Sequence, residues 1–430
     1  MQTGKLKDWD VENELFWQET GKFTAKRNLF CSIPCLFVAF SVWLIWSVVA
    51  VRLNSVGFNF TQNQLFTLAA IPGLFGATLR IFYSFVVPIF GGRTWTVFSN
   101  FSLIFPSVLI GIFIQDPTTS YTTMIFLAAL CGLGGGNFAS SMSNISFFYP
   151  KKLQGTALGL NAGIGNLGVS GLQFVAPLVI CYGIFGEIGG SSQILSNGKI
   201  IWLQNAAYIW ILPIIISTLF AYLYMDNLPN IKYSLISQFI IFKRKHMYLT
   251  TWLYIMSFGS FIGYSSAFPL LIKFQFPDID PLKYAFLGPM VGAIIRPFGG
   301  YISDKFGGAV ITFIDLLFMI FAVLGVIYFT NPETKNFLGF FIMFMILFTT
   351  TGIANGSVFQ LIPMYFSSKE SAAVLGFSSA IAAYGAFLIP KSFGLSIQMT
   401  KTPNFALYCF IVYYITCLVI TWWYYLRNTK

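Results

Sequence analysis

Two arginines stand at equivalent places in a repeated pattern of this 430-residue chain. Arg80 ends the sequence GATLR and Arg296 ends the sequence GAIIR, and in each copy the sequence FGG begins ten residues later. Each arginine lies inside an apolar run long enough to cross a bilayer, where a lone guanidinium is unfavourable by about 3 kcal/mol or more. One such cation in each copy of a duplicated chain predicts a shared internal site for an anion.

The composition places these arginines in a polytopic membrane protein. Hydrophobic residues make up 56% of the chain and charged residues only 9%, too few to cover a soluble protein of this length. Apolar stretches of about 20 residues, the length that crosses a bilayer, recur twelve times. They cover residues 29–53, 63–88, 94–114, 122–148, 155–183, 205–226, 250–274, 282–303, 309–329, 336–361, 371–398 and 404–427. We therefore predict an all-α membrane protein with twelve transmembrane helices.

The distribution of charge predicts how these helices are oriented. Lysine and arginine are concentrated in the loops on the side that carries both termini, and cytoplasmic loops retain basic residues. The net charge of +11 is thus a signal of topology in the cytoplasmic (inner) membrane, which excludes nucleic acid as a partner. The predicted parts are a polar cytoplasmic arm at 1–28, a six-helix bundle at 29–226, a cytoplasmic linker at 227–249 and a second six-helix bundle at 250–430.

Residues suited to metal or catalytic chemistry are scattered. The six cysteines lie in or next to apolar spans, and the single histidine, His246, lies in the predicted linker. This pattern predicts no metal site, no cofactor and no enzymatic activity. Two other charged residues lie well inside the predicted spans, away from their ends. Asp315 is expected to be structural, whereas Lys391 either lines an outer cavity or extends its ammonium to the membrane surface.

The duplication extends beyond the arginines. Residues 137–148 match residues 355–366, so the halves are two six-helix repeats in the same orientation, which is the plan of the major facilitator superfamily. The sequence GYISDKFGG at 300–308 resembles that superfamily's loop signature after the eighth span. The first copy departs from the signature, because Pro88 stands where the second copy has Asp304.

The most distinctive stretch is GGGNFASSMSNISFFYPKKLQGTALGLNAGIGNLGVS at 134–170. It resembles the nitrate signature of the nitrate/nitrite porter family (NarK type), and the resemblance extends from Phe16-Trp17 to Pro390-Lys391. The family implies transport of nitrate and nitrite in nitrate assimilation. It also implies substrate contacts for Arg80, Arg296, Tyr254, Phe258, Phe138 and Phe40. Arginine suits these flat anions better than lysine, because its planar guanidinium donates two parallel hydrogen bonds. With 49 phenylalanines in the chain, a core role remains the alternative for Phe40 and Phe138.

Small and amide residues follow this signature along the fifth span. The spacing of Gly155, Gly159 and Gly163 places them on one helix face, where they serve either helix packing or gating. Gly165 and Gly168 are assigned to the same group. Asn161 and Asn166 are amide donors at a depth similar to that of the arginines, so they either bind the oxygen atoms of an anion or join helices to one another.

The scarcity of buried titratable groups bears on coupling. Asp315 is the one carboxylate within the predicted spans, and two arginines in an empty closed cavity would be unneutralised. The binding site of such a carrier should pass from one side of the membrane to the other quickly with an anion bound and slowly when empty. This predicts exchange of nitrate for nitrite, by a monomer surrounded by lipid. The alternatives are nitrate/proton symport through Asp315 and, from other classes, an anion channel or a nitrate sensor.

Overall fold

The computed structural model describes residues 9–195, 198–228, 239–366 and 368–427. These residues contain 12 helices long and apolar enough to cross a membrane, which confirms the predicted all-α fold. We number them spans 1 to 12. Those of the first half are Glu14–Val56, Gln62–Tyr83, Gly92–Phe113, Tyr121–Phe148, Lys151–Val179 and Asn205–Tyr224. Those of the second half are Lys245–Gln275, Pro281–Phe306, Gly308–Thr330, Phe337–Ile362, Val374–Thr400 and Asn404–Leu426.

Several spans change helix type or break along their length. Span 7 consists of an α-helix at Lys245–Tyr254, a π-helical turn at Ile255–Gly259 and an α-helix at Ser260–Gln275. Turns of this type are frequent at functional sites. The helices of span 11 are Ser368–Ala383 and Gly385–Thr400. Between spans 5 and 6, the strands Gln193–Ile194 and Ile200–Ile201 pair antiparallel.

Two spans begin earlier than the sequence predicted. The helix of span 1 starts at Glu14, where the side chain of Asn13 accepts hydrogen bonds from the backbone N–H groups of Leu15 and Phe16. About half of the segment predicted as an arm at 1–28 is therefore helix, because a polar extension of a helix carries no apolar signal. Span 7 begins at Lys245, inside the predicted linker 227–249, and residues 229–238 of that linker lie outside the described part of the chain.

Glycines allow two pairs of spans to approach closely in the same way in both halves. A Cβ atom on Gly135 of span 4 would lie 2.7 Å from the Cα atom of Gly76 in span 2. A Cβ atom on Gly352 of span 10 would lie 2.4 Å from the carbonyl oxygen of Gly292 in span 8. Gly76 and Gly292 each precede the buried arginine of their span by one turn of helix. The repeated pattern thus positions each arginine through the same close helix contact.

The halves are joined mainly at one end of the bundle. We call the end that carries both termini the terminal end and the opposite end the distal end. Among the described residues, every hydrogen bond between the halves lies at the level of Arg80 or nearer the distal end. These bonds link Arg52 with Asp280, Asn63 with Gln398, Thr67 and Asn63 with Lys391, Ala69 with Ser266, Ser170 with Phe286, Gln173 with Ser265, Thr78 with Tyr384, and Arg80 with Ser379.

Candidate anion-binding site

Arg80 is fully buried at the junction of the two halves. Its Nε atom donates to the carbonyl oxygen of Gly135 (2.9 Å) in span 4, and its Nη1 atom donates to the carbonyl oxygen of Ser379 (3.1 Å) in span 11. Nη2 has no hydrogen-bond partner among the described residues. Two nitrogen atoms therefore hold the guanidinium in place, and the two N–H groups of Nη2 remain available to a ligand.

Aromatic rings surround the Arg80 guanidinium. Its carbon atom lies 4.5 Å from the ring centre of Phe138, 5.0 Å from that of Trp43, 5.1 Å from that of Phe258 and 6.0 Å from that of Phe40. Ring faces attract a cation but accept no proton from it, so they stabilise the guanidinium without neutralising it. The sequence had predicted three of these rings, and no sequence signal distinguished Trp43.

Arg296 is the counterpart of Arg80 in the second half. It is 6% exposed, and its Nη1 and Nη2 atoms have no hydrogen-bond partner among the described residues. Its guanidinium carbon lies 4.8 Å from the ring centre of Phe359 in span 10. The ion pairs of the described residues are Arg27–Asp226, Arg52–Asp280 and Arg244–Glu370. Among the described residues, neither buried arginine has a carboxylate partner.

A column of stacked rings connects the two arginines. Phe138 stacks on Phe258 with ring centres 6.1 Å apart, Phe258 on Tyr254 at 5.7 Å, and Tyr254 on Phe359 at 4.9 Å. The hydroxyl of Tyr254 is buried and makes no hydrogen bond of ordinary length among the described residues, but it lies close to the Arg296 guanidinium and within electrostatic range of Arg80. The column therefore brings one hydroxyl and three guanidinium nitrogen atoms without a hydrogen bond of ordinary length to a single apolar region. Sequence reasoning did not assign Phe359 to it.

The chain is similar to known proteins along nearly its whole length. A family model described as "Major Facilitator Superfamily" matches residues 33–390. The "Nitrate/nitrite transporter NarU" of Escherichia coli strain K12 is 46% identical, over 98% of this chain and 96% of the relative. The chain belongs to the NarK-type nitrate/nitrite porters of the Major Facilitator Superfamily. A second relative, the "Probable nitrate/nitrite antiporter NarK2" of Thermus thermophilus, is 39% identical over 98% of this chain and 97% of the relative.

The three-dimensional fold is also similar to that of a solved transporter structure. A crystal structure of a D-xylose-proton symporter matches this porter with a TM-score of 0.70 and 14% identity, over 92% of this chain and 97% of the other. At that identity the likeness shows the fold alone. The porter is accordingly a transporter and not an enzyme, and it is a multi-pass protein of the inner membrane.

The two asparagines of span 5 lie in different surroundings. Asn161 is buried and donates through Nδ2 to Ser141 Oγ (2.8 Å) in span 4, and Ser141 shares a hydrogen bond with Ser32 (2.8 Å) in span 1. This network favours the helix-joining role that the sequence left open for Asn161. Asn166 is 1% exposed, and its Oδ1 atom has no partner among the described residues. Neither asparagine hydrogen-bonds to Arg80 or Arg296 in this conformation.

The glycines of span 5 divide into two groups. A Cβ atom on Gly165 would lie 2.7 Å from Leu36 Cγ, and one on Gly168 would lie 2.0 Å from the carbonyl oxygen of Phe37. These two glycines pack against span 1. A Cβ atom on Gly155, Gly159 or Gly163 would meet nothing within 4 Å. In this conformation the predicted face of three glycines packs against no neighbouring helix among the described residues.

Proposed function

We propose that this porter exchanges nitrate for nitrite across the inner membrane, with one anion held between Arg80 and Arg296. Two relatives that cover nearly the whole chain are named as a nitrate/nitrite transporter and a probable nitrate/nitrite antiporter. The observation that carries the proposal is a pair of buried guanidinium groups with three terminal nitrogen atoms that make no ordinary hydrogen bond and, among the described residues, no carboxylate partner.

The shape of the site suits a small planar oxyanion. Stacked rings form an apolar slot, and the free N–H groups of Arg80 and Arg296 are donors that can bind the edges of a flat anion. The Tyr254 hydroxyl adds one further donor. Nitrate and nitrite both present trigonal oxygen acceptors in one plane, so one site accommodates either anion.

The two unpaired cations give a physical reason for obligatory exchange. Closing the site without an anion would bury two unpaired cations, whereas an anion bound between them offsets much of that cost. The loaded porter therefore changes conformation readily and the empty porter slowly. One monovalent anion then crosses in each direction, and the cycle moves no net charge.

The arrangement of the halves fits one state of an alternating-access cycle. With the termini in the cytoplasm, as the basic loops indicate, the bonded distal end is closed toward the periplasm and the terminal end is open. Gly155, Gly159 and Gly163 would then meet a neighbouring helix only when the terminal end closes. In this scheme Gly155, Gly159 and Gly163 act in gating, whereas Gly165 and Gly168 pack against span 1 throughout the cycle.

Transport into liposomes tests the proposal. Purified porter is reconstituted into vesicles that are empty or loaded with nitrite, and the uptake of external nitrate is measured with and without a pH gradient. We expect nitrate uptake to require internal nitrite and to be independent of the pH gradient. We also expect it to be lost in the Arg80→Lys and Arg296→Lys variants. Uptake into empty vesicles without measurable exchange would overturn the proposal.

One observation favours a second candidate, nitrate/proton symport. Asp315 of span 9 is 4% exposed, and its Oδ2 atom has no hydrogen-bond partner among the described residues. A buried carboxyl group of this kind is a possible proton carrier. Uptake into empty vesicles that follows an imposed pH gradient, and is lost in Asp315→Asn, would establish symport. An ionic current without saturation would instead indicate a channel.

A further inference from the structure

Lys391 of span 11 forms a contact between the halves near the distal end. Its Nζ atom donates to Thr67 Oγ1 (2.8 Å) and to Asn63 Oδ1 (3.3 Å), and both acceptors belong to span 2 in the first half. The side chain is half-buried. The ammonium is therefore directed into the seam between spans 2 and 11, which answers the question that the sequence left open for this residue.

The charge of Lys391 is not needed to join the two spans. Asn63 also donates to Gln398 Oε1 (2.6 Å), so a neutral amide pair already links spans 2 and 11 at the same place. Both acceptors of Lys391 are neutral, and none of the ion pairs among the described residues involves it. A cation within a span and without an anionic partner is costly, and such residues commonly mark the path of an ion.

The position of Lys391 places it between the arginine site and the distal mouth. Ser379 of the same span accepts a hydrogen bond from Arg80. Lys391 follows it by about three turns of helix, which corresponds to roughly 18 Å toward the distal end. Thr67 and Asn63 precede Arg80 on span 2 by a similar length. The two spans that hold Arg80 thus also hold a lone ammonium on its distal side.

Separation of the halves changes the surroundings of this ammonium. Its two acceptors belong to the opposite half, so opening the distal end removes both of them and exposes the Nζ atom to the route toward Arg80. We infer that Lys391 is an outer binding station for a small monovalent oxyanion, occupied when the distal end is open. The anion replaces Thr67 and Asn63 as the ligand of the ammonium, and closure returns Lys391 to them as the anion passes to the arginines. This inference rests on the anion exchange proposed above.

Side-specific kinetics test the station. Nitrate/nitrite exchange is measured in right-side-out and inside-out membrane vesicles, so that the apparent KM for nitrate is obtained separately at the distal and terminal faces. For Lys391→Gln we expect the distal KM to rise about fivefold or more and the terminal KM to stay within about twofold, because only the distal station has lost its cation. Lys391→Arg should keep a nearly normal distal KM. Lys283→Gln removes an exposed cation at the distal start of span 8 and is the matched control.

Two further variants distinguish an anion-binding role of Lys391 from a purely structural contact between the halves. Thr67→Val removes an acceptor of Lys391 but keeps its charge, so it should leave the distal KM unchanged. Gln398→Glu places a carboxylate beside the exposed end of the same cluster and should raise the distal KM without altering a buried residue. This variant reports on the station even if Lys391→Gln does not fold.

Results that would overturn the binding station differ from results that would overturn nitrate/nitrite exchange. An unchanged distal KM in both Lys391→Gln and Gln398→Glu would overturn the inference. So would a Thr67→Val variant that reproduces the effect of Lys391→Gln, or equal changes at both faces. A wild-type porter that exchanges no nitrate would overturn the proposed function instead.

Discussion

The guanidinium carbon of Arg80 lies 4.5 Å from the ring centre of Phe138, and this contact joins the cation of span 2 to the signature sequence of span 4. The ring of Phe138 also stacks on Phe258 of the second half, with ring centres 6.1 Å apart. One phenylalanine therefore contacts the arginine of the first half and the first ring of the column that leads to the second arginine. Aromatic rings therefore link the surroundings of the two cations, and no acidic side chain of the described residues pairs with either of them.

Tyr254→Phe should weaken anion binding without destabilising the porter. The hydroxyl of Tyr254 is buried and makes no hydrogen bond of ordinary length, only a longer polar contact with Arg296, so its removal should cost the folded protein little. A bound anion would lose one donor, worth about 1–2 kcal/mol, which corresponds to a KM for nitrate raised by roughly 5- to 30-fold. Exchange kinetics and the melting temperature of the purified variant check both statements. An unchanged KM would remove Tyr254 from the site.

The two groups of glycines in span 5 should respond differently to alanine. Gly168→Ala would place a methyl group 2.0 Å from the carbonyl oxygen of Phe37, so we expect a loss of stability of about 1–3 kcal/mol and a lower yield of folded protein. Gly159→Ala meets nothing within 4 Å in this conformation and should leave the melting temperature nearly unchanged.

The effect of Gly159→Ala should appear in transport. If this face closes against a neighbouring helix during the cycle, an added methyl group hinders closure and lowers the exchange rate several-fold. Thermal unfolding and exchange are measured on the same preparations, with Gly300→Ala, which also has open space around it, as a second variant in the opposite half. A Gly159→Ala variant with normal exchange would contradict the gating role.

Asp315→Asn should retain nitrate/nitrite exchange within about twofold of wild type. Asparagine has the same shape, and a buried carboxyl without a partner on Oδ2 contributes little that an amide cannot supply. The melting temperature should be equal or higher, because the variant no longer has to bury an ionisable group. Exchange at several external pH values checks this. A selective loss of pH-driven uptake would make Asp315 a proton carrier.

The segment before the first membrane crossing should stabilise the connection between spans 4 and 5. The Trp9 indole N–H donates to the carbonyl oxygen of Phe147 (3.0 Å), and Glu12 Oε1 accepts from the backbone N–H of Lys151 (3.1 Å), at the start of span 5. A carboxylate at a helix N-terminus contributes about 0.3–1 kcal/mol.

Trp9→Phe and Glu12→Gln should each lower the melting temperature slightly, and the double variant should do so additively, because the two contacts involve different atoms. Glu19→Gln, which changes an exposed acidic residue of the same segment, is the control. Variants indistinguishable from this control would show that the docked segment adds nothing to stability.

Much of the architecture could be predicted from the sequence. Twelve apolar stretches defined the spans to within a few residues, since any helix that crosses hydrocarbon needs about 20 apolar residues. The repeated GATLR and GAIIR sequences identified both buried arginines, because a cation at that depth is rare enough to stand out. The helical start at Glu14 was missed for the opposite reason, since beyond the membrane a polar helix resembles a polar loop.

Only the tertiary structure decided which side chains meet. Phe359 was one of 49 phenylalanines until span 10 placed it over Arg296, and Trp43 joined the site only because Gly76 and Gly135 leave room for it. The sequence grouped five glycines, and packing divided them. The sequence also identified Lys391 as a charged residue within a span. Its neutral hydrogen-bond acceptors, Thr67 and Asn63, lie more than 300 residues earlier in the chain, so only the structure shows that this charge is unpaired. Hydrophobicity and charge are local properties of a sequence, whereas a partner across a helix interface depends on how the two halves are placed against each other.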